Sequence, residues 1–234
     1  MRDQKDGDAG SAREKPAALP VFMRLLSAFE LALGSFIVVA HNLFQVLPNE
    51  VPILLILGVV SIRLREGSWR ALGFGRPKSW LRTALTALLV AGLIVLGQFA
   101  TEPLATALGF KESGTSSALG VKPGDLGAAV KALAISWTFA AFGEEFVYRR
   151  YLLARAYEIG DGTPISQVIG LIYVSSLFGI GHYYAGTAGM IETAFDGLLI
   201  GSAYLLSGRN LWVAVLAHGL FDTLAFGLTY MGIG

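Results

Sequence analysis

The chain has 234 residues, 54% of them hydrophobic and 15% charged, with a net charge of +1 and no cysteine. That composition excludes disulfides, thiolate catalysis and cysteine-ligated metal, and the near-neutral balance gives no electrostatic footprint for nucleic acid. A mean hydropathy of +0.59, carried by long apolar runs, points to a polytopic membrane protein, since a bilayer core of about 30 Å takes roughly 20 apolar residues per helix.

The runs are continuous rather than alternating, so they read as helices and not as barrel strands. The expected fold class is all-α, a transmembrane helical bundle of about 7–8 helices. Residues 1–20, MRDQKDGDAGSAREKPAALP, are polar and have no apolar signal region; they are expected to form a disordered cytoplasmic tail. Residues 21–234 are expected to form a single transmembrane domain, with its chemistry in 126–230.

Seven spans are expected in chain order. The first is 24–47, closed by Pro48, and the second, 51–62, is short enough to be tilted or re-entrant. The others are 80–100, 126 towards 156, 164–183, 188–206 and 211–231. The Gly- and Ser-rich segment 101–125 is expected to be a cap or lid. Arg63, Arg65, Arg70, Arg76, Lys78 and Arg82 crowd one connection, Arg149, Arg150 and Arg155 another, and Arg209 a third. By the positive-inside rule these ends are cytoplasmic, with the N-terminus in and the C-terminus out.

Ionisable residues within spans are costly and are functional candidates by default. The stretch GEEFVYRRY holds two adjacent carboxylates. Helical spacing pairs Glu145 with Arg149 at i,i+4, while Glu144 points elsewhere and stays free to act as a general base or acid. Phe178-Gly-Ile-Gly-His182 and His218-Gly-Leu-Phe-Asp222 each put two side chains on one helix face, and Asp222 can orient His218. At about 1.5 Å per residue, Glu144 lies roughly 20 Å from its helix end, His182 roughly 27 Å from its helix start, and His218 and Asp222 roughly 12 and 18 Å in. Helix tilt can bring such depths to one level. His41 has no acidic partner at helical spacing and reads as packing. Glu30 and Lys131 read as snorkelling span ends. Glu192 and Asp196, again i,i+4, read as a second carboxylate pair supporting the cavity or as a proton relay.

Three motifs in this order, Glu144-Glu145-Phe-Val-Tyr-Arg149, Phe178-Gly-Ile-Gly-His182 and His218-Gly-Leu-Phe-Asp222, resemble the CPBP family. These are the CAAX-processing and bacteriocin-processing intramembrane endopeptidases. The similarity extends over about 70–227 and includes LGFGRP and GRNLW. It implies a bundle of roughly eight helices and a glutamate-dependent peptidase. Glu144 and His182 would activate water, and His218 with Asp222 would stabilise the oxyanion. Glu145 and Arg149, with Phe178, would shape the site. Many relatives carry Asn at the position of Asp222. An ionised Asp cannot donate to an oxyanion, so here its expected role is to orient His218.

The leading expectation is therefore a metal-independent intramembrane endopeptidase of an integral membrane protein, in a bacterial inner membrane. Its substrate would be a membrane-associated or hydrophobic peptide, prenylated CAAX types included. Zn²⁺ held by two His and two Glu is the mechanistic rival; there is no His-Glu-x-x-His, and Arg149 would oppose a divalent cation. Two other classes stay open: a non-catalytic immunity or scaffold protein binding a membrane partner, and a proton-coupled transporter using Glu192 and Asp196.

Overall fold

The computed structural model describes residues 19–111 and 119–233. The polar tail, but for its last two residues, and part of the 101–125 segment therefore lie outside the described residues. Among those described there are seven helices and no strand: α1 (Val21–Asn42), α2 (Glu50–Glu66), α3 (Trp80–Ala107), α4 (Leu126–Ile159), α5 (Pro164–Ile180), α6 (Gly186–Leu206) and α7 (Leu211–Met231).

The helix starts follow from short polar residues that satisfy otherwise unpaired N–H groups. Asn49, Ser79, Asp125, Thr163 and Asn210 each accept a backbone N–H at the head of α2, α3, α4, α5 and α7. Pro164 occupies the first turn of α5, where its missing N–H costs nothing. α2 stops at Gly67, whose φ of 66° is left-handed.

Four helices, α1, α3, α4 and α7, are long and apolar enough to cross a membrane. Their outward rows are large and apolar, such as Phe22, Leu25, Phe29 and Phe36 on α1 and Leu81, Leu85 and Leu88 on α3. This is the surface of a protein solvated by lipid. α2 ends with Arg63, Arg65 and Glu66 and does not meet the same test.

The expected fifth and sixth spans are corrected in one respect. α5 and α6 form a pair bent by 59° at a break of a few residues, with Gly181 and His182 in the break and a 3-10 turn at Tyr183–Ala185 after it. The expected cap is corrected too: its first seven residues, 101–107, continue α3, and Val121 packs with Ala129 of α4 and Tyr230 of α7.

α4 is not a uniform α-helix. It is π-wound over Ser136–Glu144 and Phe146–Leu152, with α-helical turns on both sides. π-turns are rare and concentrate at functional sites. α7 packs along this stretch, and α3 packs against α6 and α7.

Two ionic readings change. Arg155 is not a surface marker: its side chain is 1% exposed and donates to Glu158 at 2.7 Å. Glu30 does not snorkel: it accepts from Ser61 at 2.6 Å and from Arg65 at 3.3 Å, with Arg155 Nε 3.6 Å away. These groups, with Ser27, form a buried ionic cluster joining α1, α2 and α4. Burial of opposite charges together offsets the desolvation that would otherwise push each to the surface.

Candidate active site

Glu145 is fully buried and has both oxygens engaged. Its Oε1 accepts from Nδ1 of His218 at 2.9 Å, and its Oε2 lies 3.0 Å from Nε of Arg149. The helical pairing with Arg149 is therefore present, and a contact from α7 is added to it. On the other side of the ring, His218 Nε2 stands 3.5 Å from Asp222 Oδ2. That Asp222 oxygen accepts a short hydrogen bond from Ser136 Oγ. Both ring nitrogens of His218 face carboxylate oxygens, an arrangement that only the doubly protonated imidazolium satisfies on both sides.

Glu144 is half-buried and differs from its neighbour. Its Oε2 is enclosed and has no hydrogen-bond partner among the described residues. His218, Asp222, Glu145 and Glu50 all lie within electrostatic range of it. The two adjacent carboxylates thus differ: Glu145 is neutralised by Arg149, and Glu144 has no ion pair and one enclosed oxygen without a hydrogen bond among the described residues.

His182 sits at the break between α5 and α6. Its Nδ1 lies 2.9 Å from the Phe178 carbonyl, which can only accept, so Nδ1 carries a proton and, in the neutral ring, Nε2 is the acceptor. No hydrogen bond joins His182 to Glu144. Phe178 is the packing centre of the site. Its ring meets those of Tyr148, His182 and His218 edge-on, at centroid distances of 5.0, 4.8 and 6.0 Å. The Arg149 guanidinium lies 4.6 Å from the same ring. The aromatic residue of the second motif therefore holds the arginine of the first and the histidines of the second and third.

The glycines of this motif are needed for close approach. A Cβ on Gly179 would stand 2.3 Å from the Met190 carbonyl oxygen of α6. On Gly181 it would stand 2.9 Å from Tyr148 Oη and 3.4 Å from Glu50 Oε1. Broken helical backbone at membrane depth is tolerated where it is buried in protein or lines a cavity. A cavity of about 770 Å³ adjoins the break, lined by Tyr183, Tyr184, Gly186 and Thr187 together with His41 and Lys111.

Ser136, Glu50 and Tyr148 are not legible as site residues in the sequence, and His41 is legible only as packing. Ser136 is the only polar side chain of the run ALAIS before Trp137, and its partner is 86 residues away. Glu50, 4% exposed in the first turn of α2, reaches the site from outside the three motifs. His41 does have an acidic partner, Glu50, at 3.4 Å from Nε2, across a helix boundary that helical spacing does not cover. Tyr148 is buried against Phe178 and Gly181. From α6, Asp196 is buried, with Glu192, His218, Asp222 and Arg149 in electrostatic range. Among the described residues, no three imidazole or carboxylate side chains converge as ligands for a metal ion.

Residues 126–224 match the family model described as Type II CAAX prenyl endopeptidase Rce1-like. The matched segment runs from the start of α4 into α7 and carries all three motifs. This part of the chain is similar to that family of CAAX-type membrane peptidases, and the match supports the resemblance carried by the three motifs. No curated protein and no solved structure matches the chain.

Proposed function

We propose that the chain is an intramembrane endopeptidase that hydrolyses a peptide bond of a membrane-associated or hydrophobic peptide, with water as the direct nucleophile. The observation that carries this reading is the contrast at residues 144 and 145. Glu145 is engaged by a hydrogen bond from His218 and an ion pair with Arg149, while Glu144 keeps an enclosed oxygen with neither.

In the proposed cycle Glu144, with the acceptor nitrogen of His182, takes a proton from water as the water oxygen bonds to the scissile carbonyl carbon. Charge moves onto the carbonyl oxygen. His218, protonated and oriented by Glu145, donates to that oxygen from Nε2. The 3.5 Å separation from Asp222 leaves that N–H available to an incoming oxyanion. Glu144 then delivers its proton to the leaving nitrogen as the C–N bond breaks, giving a carboxylate and an amine.

No metal takes part in this scheme. The Arg149 guanidinium beside Glu145 supports that assignment, because a cation already neutralises the carboxylate a divalent ion would need. Metal analysis of purified protein, with cleavage followed in chelator, tests it. The N-terminus is taken to be cytoplasmic, because the Arg-rich connections gather at one end of the bundle around Arg150, Arg209 and Gly73; a bacterial inner membrane is part of the proposal.

Comparing membrane peptides from cells that carry the intact chain with cells that carry Glu144→Ala tests the activity. Uncleaved precursors accumulating only with the variant support the peptidase. Identical peptide sets with both proteins favour a scaffold, and lost proton-coupled flux favours a transporter.

A further inference from the structure

LGFGRP and GRNLW take no part in the proposed chemistry, yet the fold brings them together. Trp212 Nε1 donates to the Gly75 carbonyl at 3.1 Å, and Asn210 Nδ2 donates to Thr83 Oγ1 at 2.9 Å. Phe74 stacks on Phe142 at 4.3 Å and meets Trp212 at 5.9 Å. Between the two stretches lies a cavity of about 920 Å³, separate from the candidate active site.

The lining of this cavity carries charge of one sign. Arg70, Arg76, Lys78, Arg82 and Arg209 face it, and no Asp or Glu does. All five are exposed. Among the described residues none is paired with a carboxylate; Arg209 alone has a ring contact, 4.6 Å from Tyr157. The first turns of α3 and α7 open on the same space, behind Ser79 and Asn210, and add the positive ends of two helix dipoles. Five unpaired cations around one concavity repel one another, and an anion removes that cost.

The surroundings select the kind of anion. α3 and α7 are long and apolar enough to cross a membrane, and the cavity lies at the end of both, where a bilayer spanned by them would place its headgroups. Beside it the surface is apolar and open: Leu81 is 70% and Leu206 89% exposed. Trp80 stands at the rim as an interfacial aromatic. A phosphate seated among the arginines would leave acyl chains lying against Leu81, Leu85 and Leu206. Basic pockets between transmembrane helices bind anionic headgroups in this way.

We infer that this cavity is a binding site for the phosphate headgroup of an anionic membrane lipid. The test uses the full chain purified in nonionic detergent, with native mass spectrometry reading retained lipid. The probes are phosphatidylglycerol and phosphatidylcholine, with inorganic phosphate as competitor. Phosphatidylglycerol is expected to bind with clear preference over phosphatidylcholine and to resist millimolar phosphate. The triple variant Arg76→Gln/Lys78→Gln/Arg82→Gln is expected to lose on the order of 100-fold in affinity. Arg63→Gln removes a charge outside the cavity and is expected to change little, which separates a local site from general surface charge. Equal retention of both lipids, an unchanged triple variant, or full displacement by inorganic phosphate each overturns the proposal. The readout is binding alone, so it stands or falls apart from the peptidase reading.

Discussion

His218 Nδ1 donates to Glu145 Oε1 at 2.9 Å across 73 residues of sequence. This contact makes Glu145 more than the helical partner of Arg149, because it fixes the orientation of a histidine on another helix. Glu145→Gln keeps the shape and loses the charge. It is expected to lower cleavage at least 100-fold while the protein still folds. Glu145→Ala leaves His218 and Arg149 buried without their partner, and its expected cost is about 3–5 kcal/mol of stability, read as a lower unfolding midpoint in detergent.

Asp222 is placed to orient His218 and to accept from Ser136, and neither task needs a charge. Asp222→Asn should therefore retain most activity, because an amide oxygen can accept both contacts. Asp222→Ala should lose it. An Asn variant as inactive as Ala would show that the carboxylate charge itself is required.

Ser136→Ala removes the donor to Asp222 and changes little else in volume. A loss of about tenfold in kcat with KM nearly unchanged is expected, corresponding to one modest hydrogen bond. A change confined to KM would place Ser136 in substrate binding instead.

Arg155 separates two readings of the same basic stretch. A surface arginine would contribute about 0–1 kcal/mol. Buried against Glu158 and Glu30, it is expected to cost about 3–5 kcal/mol on replacement by Ala, because two carboxylates are left to share Arg65 as their one remaining cation. Thermal unfolding in micelles measures the difference.

Gly179→Ala forces a methyl group into the Met190 carbonyl of α6, a contact neither backbone can relieve without separating the helices. About 1–3 kcal/mol of destabilisation is expected, with a lower Tm and a site loosened at His182.

The helix positions, the Glu145–Arg149 pairing and the facing of His218 towards Asp222 were legible because they depend on spacing within one helix. Contacts between helices were not. Ser136 with Asp222, Glu145 with His218 and His41 with Glu50 join residues whose proximity follows from packing, on which sequence periodicity is silent. The burial of Arg155 and Glu30 escaped for the same reason. Their positions near span ends suggested the interface, and only their mutual neutralisation keeps them inside. The π-winding of α4 has no signal in an apolar run such as SWTFAAFG. The bend at Gly181 and His182 left a trace in the paired glycines of FGIGH, although the run of apolar residues on both sides read as two separate spans.

The central claim is that Glu144 is the general base. Its most direct test is cleavage of a quenched fluorescent membrane peptide by purified full-length protein in lipid nanodiscs, wild type against Glu144→Gln, with peptide binding measured in parallel. The expected result is a fall of at least 1,000-fold in cleavage rate, typical of removing a group that acts as a unit with its partners, with binding within a few-fold of wild type. Cleavage by Glu144→Gln at the wild-type rate would contradict the account.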